Sequence, residues 1–380
     1  MNFEYDEEQE ALRDSVRALL GKAYGDDFEQ RRKAVAVEPG FDETTWRRLA
    51  ELGVLGLPFA EEHGGMGAGP VEVSLVAEEI GRVLAPEPFL ATVVLAGGLV
   101  AAAGSEEQRS AVLGPLAEGE SIVAFAHLEP GSRWKPSATA VTASSSPDGG
   151  WTLDGVKEPV PHGARADVLV VSAALPSGGT GLFLVDPSAT ERTGYAVHDG
   201  SRAARIRFSG TAATPLGDGG DATATIATAL DRTRIAACHQ AVGAMAFQLE
   251  TTTSYLTSRK QFGVTLNKFQ ALTFRAADMY VSLEMARSLT LWATLVSIAG
   301  SPEEIADAAA RASLQASKAG RHIGQEAIQL HGGIGMTAEY AVGHYTSHLT
   351  ALEHWLGDGR HHLSTLAARV GDHDEVDPIP

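Results

Sequence analysis

The feature of this chain that most constrains its fold is the spacing of its apolar residues, which changes twice along its 380 residues. From Asp6 to about Gly119 apolar residues recur at intervals of three and four, as at Leu12, Val16 and Leu19. Residues spaced in this way line one face of a helix. The first third of the chain is therefore predicted to be helical.

The middle of the chain has a different pattern. Between about Ser121 and Gly220 short β-prone runs, such as Val168 to Ala173, alternate with Gly, Pro, Asp and Ser. These runs predict strands joined by turns. The Ser- and Gly-rich stretch 144–150 predicts a hairpin loop within this region. From Ala222 onward the helical spacing returns and predicts several long helices.

The length of the chain also constrains its organisation, because single cores usually stop growing near about 250 to 300 residues. We expect an α+β multidomain fold with a helical N-terminal domain over residues 1–120. A middle antiparallel β-barrel or sandwich domain should follow over residues 121–220, and a C-terminal four-helix bundle over residues 221–380.

Charge and cysteine content exclude several classes of function. The formal net charge is -18, which disfavours nucleic acid or an anionic membrane surface as a partner because both are polyanions. Cys238 is the only cysteine, so no intrachain disulfide forms and a cytoplasmic location is expected. No uninterrupted apolar run reaches the length of about 18 residues that indicates a membrane span. The acidic N-terminus is not typical of a signal peptide.

Four segments together carry a resemblance to a known family. They read GLPFAEEHGGMG from Gly56 to Gly67, LEPG from Leu128 to Gly131, RKQFG from Arg259 to Gly263 and QLHGGIG from Gln329 to Gly335. In this order, and spread over most of the chain, they resemble the acyl-CoA dehydrogenases. The resemblance implies FAD as the cofactor, an acyl-CoA thioester as the substrate and an electron-transfer flavoprotein or a similar electron acceptor. It also implies that a carboxylate removes the α-proton while a hydride leaves the β-carbon for the flavin.

The same resemblance implies that one group of residues serves the FAD of a neighbouring subunit. In the family the arginine of the third segment and the glutamine and glycines of the fourth reach across a subunit interface. The matching residues here are Arg259, Phe262, Gly263, Gln270, Gln329, Gly332 and Gly333. The alternative is that Arg259 pairs with a surface acid and that the two glycines only end a helix.

The catalytic base of the family is missing from both of its usual positions. The glutamate of the family's Tyr-Glu-Gly triplet corresponds to Leu356, and the alternative seat on the first long helix of the bundle corresponds to Thr233. Neither an alkyl group nor an unactivated hydroxyl serves as a general base.

The flavin-facing positions depart from the family as well. Leu128 replaces the usual threonine, and Pro159-Val160-Pro161 replaces the Trp-Ile-Thr that lines the flavin ring. Asp358 replaces a threonine that helps to hold the diphosphate, and its charge would repel phosphate.

These losses suggest the base-lacking subunit of a mixed assembly, similar to the α2β2 acyl-CoA dehydrogenases of actinobacteria. The partner would be a homologous chain that carries its own base, and the substrate would be a bulky steroid side-chain CoA thioester. Two alternatives stay open. A local shift could bring Glu353 or Asp358 into the pocket of a self-sufficient enzyme, or the chain could be a non-redox scaffold that binds acyl-CoA. No metal site is predicted, since His344, His354, His361 and His362 are more typical of a solvated helix face.

Overall fold

The computed structural model describes residues 5–25, 28–145 and 149–372. The first third is helical, and its helices are α1 (Glu7–Leu20), α2 (Phe28–Ala36), α3 (Glu43–Glu51), α4 (Pro70–Val83), α5 (Gly98–Ala103) and α6 (Glu106–Ala117). A π-helical segment, Phe89–Gly97, leads directly into α5. Capping boxes at Asp6 and Ser105 define the starts of α1 and α6, because each satisfies amide groups that a helix leaves free at its N-terminus.

The middle domain is a closed sheet. Its strands are β1 (Val123–Ala126), β2 (Thr142–Ser145), β3 (Trp151–Pro161), β4 (Val168–Ala174), β5 (Thr180–Val185), β6 (Glu191–Ala196) and β7 (Arg202–Pro215). Strands β2, β3, β7, β5 and β4 pair in that order, and β4 pairs again with β2. The ring of pairings makes a barrel, with β1 added beside β4 and β6 beside β7.

The predicted fold class is confirmed, and one detail of the sheet differs from the expectation. Most pairings are antiparallel, but β1 and β2 each run parallel to β4. Parallel neighbours need a long crossover connection, and residues 127–167 provide one between β1 and β4. Strands β2 and β3 form the predicted hairpin, with Ser145 opposite Trp151. Residues 146–148 of its loop lie outside the described residues.

The C-terminal third is a helical bundle. Its helices are α7 (Thr223–Ser258), α8 (Gln270–Ala299), α9 (Pro302–His331), α10 (Ala341–Leu356) and α11 (Gly359–Ala368). Helices α7 and α9 pack against each other, and α8 and α10 each pack against both of them in a helical bundle. A short hairpin of β8 (Lys260–Gln261) and β9 (Val264–Thr265) projects between α7 and α8. None of the described helices combines the length and the apolar character needed to cross a membrane.

The N-terminal helices and the bundle are joined by a close crossing of α4 and α7. A Cβ at Gly81 would lie 1.9 Å from the carbonyl oxygen of Gln240, and a Cβ at Gly243 would lie 2.0 Å from that of Glu78. Only glycine permits backbones to approach so closely. The crossing fixes α7 against the N-terminal helices and sets the position of Arg234 near the barrel.

Candidate functional site

A small cavity lies where the π-helical segment, the barrel, α7 and the end of α10 meet. The resemblance assigns Leu128, Pro159, Pro161 and Leu356 to the flavin pocket, and all four line this cavity together with Trp134, Arg234 and Trp355. Its volume is about 30 Å³, which is room for about two water molecules, since one water needs roughly 10 to 15 Å³ on this measure. None of the described residues that line it carries a carboxylate.

Leu356 is the last residue of α10, and only 7% of it is exposed. Its carbonyl oxygen accepts a 2.8 Å hydrogen bond from Nε of Arg234, and Nη1 of the same guanidinium lies 2.6 Å from Oδ1 of Asp231. The arginine therefore holds the backbone at the position of the family's base. The side chain at that position offers no proton acceptor.

Thr233, the second possible seat of the base, does not line the cavity. Its side chain is buried, and its hydroxyl donates a 2.7 Å hydrogen bond to the carbonyl oxygen of Ala229 one turn earlier. This bond is the usual use of a threonine hydroxyl within a helix.

Glu353 faces away from the small cavity. It lines a second cavity of about 210 Å³ between α7, α9 and α10. Its Oε1 accepts hydrogen bonds from the hydroxyl of Ser317, from Nη2 of Arg321 at 3.3 Å and from the amide of Gly359 at 3.3 Å. These donors hold the carboxylate between α9, α10 and the start of α11. Leu356 and Arg234 line both cavities and lie between them.

Asp358 caps the N-terminus of α11. Its Oδ1 accepts a 2.8 Å hydrogen bond from the amide of His361, and this bond lowers the pKa of the carboxyl. A helix N-terminus attracts anions through its free amides. Here the chain's own carboxylate already occupies that position.

A buried polar network lies beside the cavity, within the barrel. Lys157 is fully buried, and its Nζ donates to Oε1 of Glu129 at 2.9 Å, to the carbonyl oxygen of His127 at 2.8 Å and to the hydroxyl of Ser172 at 3.1 Å. Burial alone would raise the pKa of Glu129, but the Lys157 ammonium and the amides of Val141 and Ala140 lower it. Sequence reasoning recognised Glu129 only as part of the LEPG segment and missed Lys157, because a lone lysine in a strand gives no signal of burial.

Trp134 was also missed by the sequence reasoning. It follows the LEPG segment, and its Nε1 donates a 3.0 Å hydrogen bond to the carbonyl oxygen of His354 in α10. Its ring lies 5.3 Å from that of His361 between centroids, and the guanidinium carbon of Arg133 lies 5.5 Å from its own centroid. The indole therefore spans from the barrel to the bundle at the edge of the small cavity.

The residues assigned to a neighbour's cofactor lie elsewhere, on an exposed surface. Arg259, Phe262, Gly263, Gln270, Gln329, Gly332 and Gly333 are all exposed. Phe262 and Gly263 form the tip of the β8–β9 hairpin with φ of 53° and 81°, and Phe262 is 91% exposed. We name this set of seven residues the exposed clamp.

Packing brings the parts of the exposed clamp to one end of the bundle. Leu256 of α7, Leu266 after the hairpin and Leu330 of α9 belong to one apolar cluster. The rings of Tyr255 and His331 lie 4.5 Å apart between centroids, which joins the ends of α7 and α9. The hairpin and the glycine turn that follows α9 are therefore held by the same core.

The glycines of the clamp leave open space. Gly332 ends α9 with φ 65° and ψ -139°, a conformation that side chains rarely adopt. No atom lies within 4 Å of where a Cβ would stand on Gly332 or Gly333. A ligand group could therefore approach this backbone closely.

Three of the four histidines considered for a metal bind the backbone instead. Nε2 of His344, Nδ1 of His354 and Nε2 of His362 lie 2.9, 2.8 and 3.0 Å from carbonyl oxygens of Ala338, Thr350 and Gly357. Within the part of the chain that the structure describes, no group of three or more His, Cys, Asp or Glu could hold a metal ion.

Comparison with known families agrees with this arrangement. The acyl-CoA dehydrogenase N-terminal domain matches residues 6–120, and the acyl-CoA dehydrogenase C-terminal domain matches residues 221–371. The chain belongs to the acyl-CoA dehydrogenase family. Its members are oxidoreductases that depend on FAD, and the predicted family and cofactor are confirmed.

Relatives match this acyl-CoA dehydrogenase over nearly its whole length. The probable acyl-CoA dehydrogenase YngJ of Bacillus subtilis is 29% identical over 96% of this chain and 98% of its own. Among solved structures, a variant of the Tcur3481-Tcur3483 steroid ACAD is 30% identical, with a TM-score of 0.87 over 96% of this chain and 98% of that chain. The ChsE4-ChsE5 complex of Mycobacterium tuberculosis is 26% identical, with a TM-score of 0.88 over 99% of this chain and 100% of that chain.

Two features of the described residues do not fit a flavin held in the small cavity as it stands. The cavity has about 30 Å³ of space, which is room for about two water molecules and is far less than a flavin ring requires. Asp358 also places a carboxylate at the N-terminus of α11. The free amides of a helix N-terminus are the groups that would stabilise a diphosphate there. The exposed clamp differs, because its permanent positive charge, forked donors and open glycines suit a phosphate-bearing group.

Proposed function

We propose that this chain is the base-lacking subunit of a mixed acyl-CoA dehydrogenase assembly. It completes the FAD site of a homologous chain that carries its own carboxylate base. The observation that carries the proposal is the contrast between a small cavity without a carboxylate and an exposed clamp whose motif residues are intact.

Each part of the clamp has a physical role in this proposal. The guanidinium of Arg259 would bind diphosphate oxygens through parallel hydrogen bonds. Gly332 and Gly333 would bring their backbone close to the cofactor, and Phe262 would lie against it or against the partner. The bound flavin supplies the hydride acceptor, and the partner chain supplies the base that removes the α-proton.

Helix α8 offers an apolar surface for the partner chain. Phe274, Tyr280, Val281 and Met285 are 62%, 56%, 54% and 56% exposed. Large apolar side chains grouped on one surface are typical of protein interfaces. The likeness to structures described as the ChsE4-ChsE5 complex and the Tcur3481-Tcur3483 steroid ACAD supports a homologous partner in an α2β2 arrangement.

The substrate in this proposal is a bulky acyl-CoA such as a steroid side-chain thioester. Its support is the 30% identity to a steroid ACAD over 96% of the chain. An assembly in which half of the active sites hold no substrate leaves room for such a bulky molecule in the others. An electron-transfer flavoprotein or a similar acceptor would reoxidise the flavin.

The test is the amount of flavin per polypeptide, measured from the absorbance of released flavin. We expect little flavin in this chain purified alone, and about one FAD for every two chains after co-expression with a homologous dehydrogenase chain. In that complex, Arg259→Ala should weaken FAD retention by about tenfold to a hundredfold, because charge-assisted hydrogen bonds contribute roughly 1.5 to 3 kcal/mol.

Arg311→Ala is the matched control, because Arg311 pairs with Asp307 within α9 and is 41% exposed. It should leave the flavin content unchanged. One FAD per chain in the isolated protein, bleached by an acyl-CoA, would instead support a self-sufficient enzyme with Glu353 as its base. Absence of flavin from the complex would support a non-redox scaffold.

A further inference from the structure

We infer that Trp134 closes this chain's own cofactor cavity, and that this side chain, rather than the missing base alone, prevents the chain from holding a flavin. The inference rests on the proposed function, since it concerns the silent site of the proposed pair. It assigns a ligand-excluding role to a residue outside the four motif segments.

The indole contacts two groups at the junction of α10 and α11 and the side chain of its neighbour in sequence, Arg133. Its N–H donates to the carbonyl oxygen of His354 at 3.0 Å, 220 residues away along the chain. The ring of His361 lies 5.3 Å from it between centroids, and the guanidinium carbon of Arg133 lies 5.5 Å from its centroid. These contacts fix the indole between the barrel and the junction of α10 and α11.

The backbone of Trp134 supports the same interpretation. Its φ is 47°, in the left-handed region that a bulky side chain rarely occupies. Such a conformation persists only where surrounding contacts determine it strongly. A hydrogen bond from the Ser132 amide to the Glu129 carbonyl oxygen and one from His127 Nε2 to the Lys135 carbonyl oxygen hold the loop on both sides of Trp134. This backbone presents the indole to the cavity, and the contacts of the indole fix it there.

The position of the indole matters because it lines the cavity directly. Trp134 lines the wall of the small cavity together with Leu128, Pro159 and Leu356, the positions that the resemblance assigns to the flavin pocket. Arg234, which also lines the cavity, is already bonded to Asp231 and to the Leu356 carbonyl oxygen. The donor groups and the space that a flavin ring would need are therefore both taken by the chain's own residues.

Removal of the indole should open this site to a planar aromatic ligand. The deleted ring would leave its own volume next to the existing cavity, among Leu, Pro and Trp side chains. Apolar engineered cavities of roughly 150 Å³ bind small aromatic molecules. Lumiflavin is a suitable probe, because it has the flavin ring without the diphosphate that Asp358 would repel.

The experiment uses the complex of this chain with its homologous partner, loaded with FAD. Lumiflavin is titrated and its fluorescence quenching is followed, with Trp134→Ala compared with the unsubstituted chain. We expect the variant to bind lumiflavin at least tenfold more tightly, at one additional site per copy of this chain. Indole should compete with lumiflavin for that site in the variant.

Two further variants keep the result interpretable. Trp134→Phe keeps an aromatic ring at this position and should not bind lumiflavin at the additional site. Trp151→Ala removes the tryptophan that packs on Phe183 at 5.3 Å between centroids in the barrel, and it should not gain a site. Retention of the FAD already in the complex shows that each variant keeps the native assembly.

The inference is overturned if the unsubstituted chain binds lumiflavin as tightly as Trp134→Ala, or if indole fails to compete in the variant. It is also overturned if Trp134→Ala keeps its FAD and gains no site. The proposed function is tested separately by Arg259→Ala. That substitution should remove flavin from the complex, whereas Trp134→Ala should add a flavin ring to it.

Discussion

The small cavity beside the barrel and the exposed clamp at the far end of the bundle differ in almost every physical respect. The cavity is small, mostly apolar and lined by side chains of its own chain. The clamp presents an arginine, glutamines, open glycines and a 91% exposed phenylalanine. In one region the chain satisfies its own groups, and in the other it leaves them available to another molecule.

Under the proposed function, this difference means that the cavity region stabilises the chain itself and that the clamp binds a second chain. Arg234 is hydrogen-bonded to Asp231 and to the carbonyl oxygen of Leu356. Glu353 accepts hydrogen bonds from Ser317, Arg321 and the amide of Gly359. Groups that are paired in this way stabilise the fold of their own chain. Within its own chain, Phe262 has only an edge-on contact with Phe269, at 6.2 Å between ring centroids, and 91% of it stays exposed. Its burial would have to come from a second molecule.

The largest expected effect contrasts the buried network beside the cavity with an exposed ion pair. Glu129→Ala would leave the fully buried Lys157 ammonium without its carboxylate. We expect the free energy of unfolding to fall by about 3 to 5 kcal/mol, measured by urea denaturation. Glu191→Ala, which breaks the exposed pair with Arg207, should change it by less than about 1 kcal/mol.

A double variant sharpens the result. Adding Lys157→Met to Glu129→Ala removes the unpaired buried charge and should recover part of the lost stability. Equal unfolding midpoints for Glu129→Ala and Glu191→Ala would mean that the network beside the cavity contributes no more than a surface pair.

An intermediate effect concerns the clamp. Phe262→Ala should change the stability of the isolated chain by less than about 0.5 kcal/mol, because the ring is already exposed. The same change should weaken association with the partner chain by about 2 kcal/mol, the loss typical of an aromatic residue at the centre of an interface. Sedimentation or titration calorimetry would measure the association. A variant that unfolds easily, or that associates normally, would remove Phe262 from the proposed interface.

The smallest expected effect is a pH dependence on the cavity side. Burial lowers the pKa of His127 and of His362 from 6.5 to about 4. The unfolded chain therefore binds more protons than the folded chain between these values. The free energy of unfolding should fall as the pH drops through this window, by roughly 1 kcal/mol for each histidine at about pH 6. His362→Gln should show a smaller loss between about pH 7 and pH 5, and an unchanged loss would contradict the assignment to His362.

The arrangement of the exposed clamp was largely predictable from the sequence. All of its residues except Gln270 lie in two short motifs. Turn chemistry favours glycine where the backbone has φ of 81° at Gly263 and 65° at Gly332. The parallel pairing of β1 with β4 was not predictable, because local spacing identifies strands without identifying their neighbours. The burial of Lys157 was hidden for the same reason.

The sequence by itself determined the order of helical and β regions, the family and the absence of a carboxylate at Leu356 and Thr233. These properties are local, since apolar spacing and residue identity can be read position by position. Only the tertiary structure decided that Trp134 meets His354, 220 residues away, and that Leu356 lines both cavities whereas Glu353 lines only the second. Such contacts depend on how separate elements pack, and packing brings together residues whose positions along the chain give no sign of their proximity.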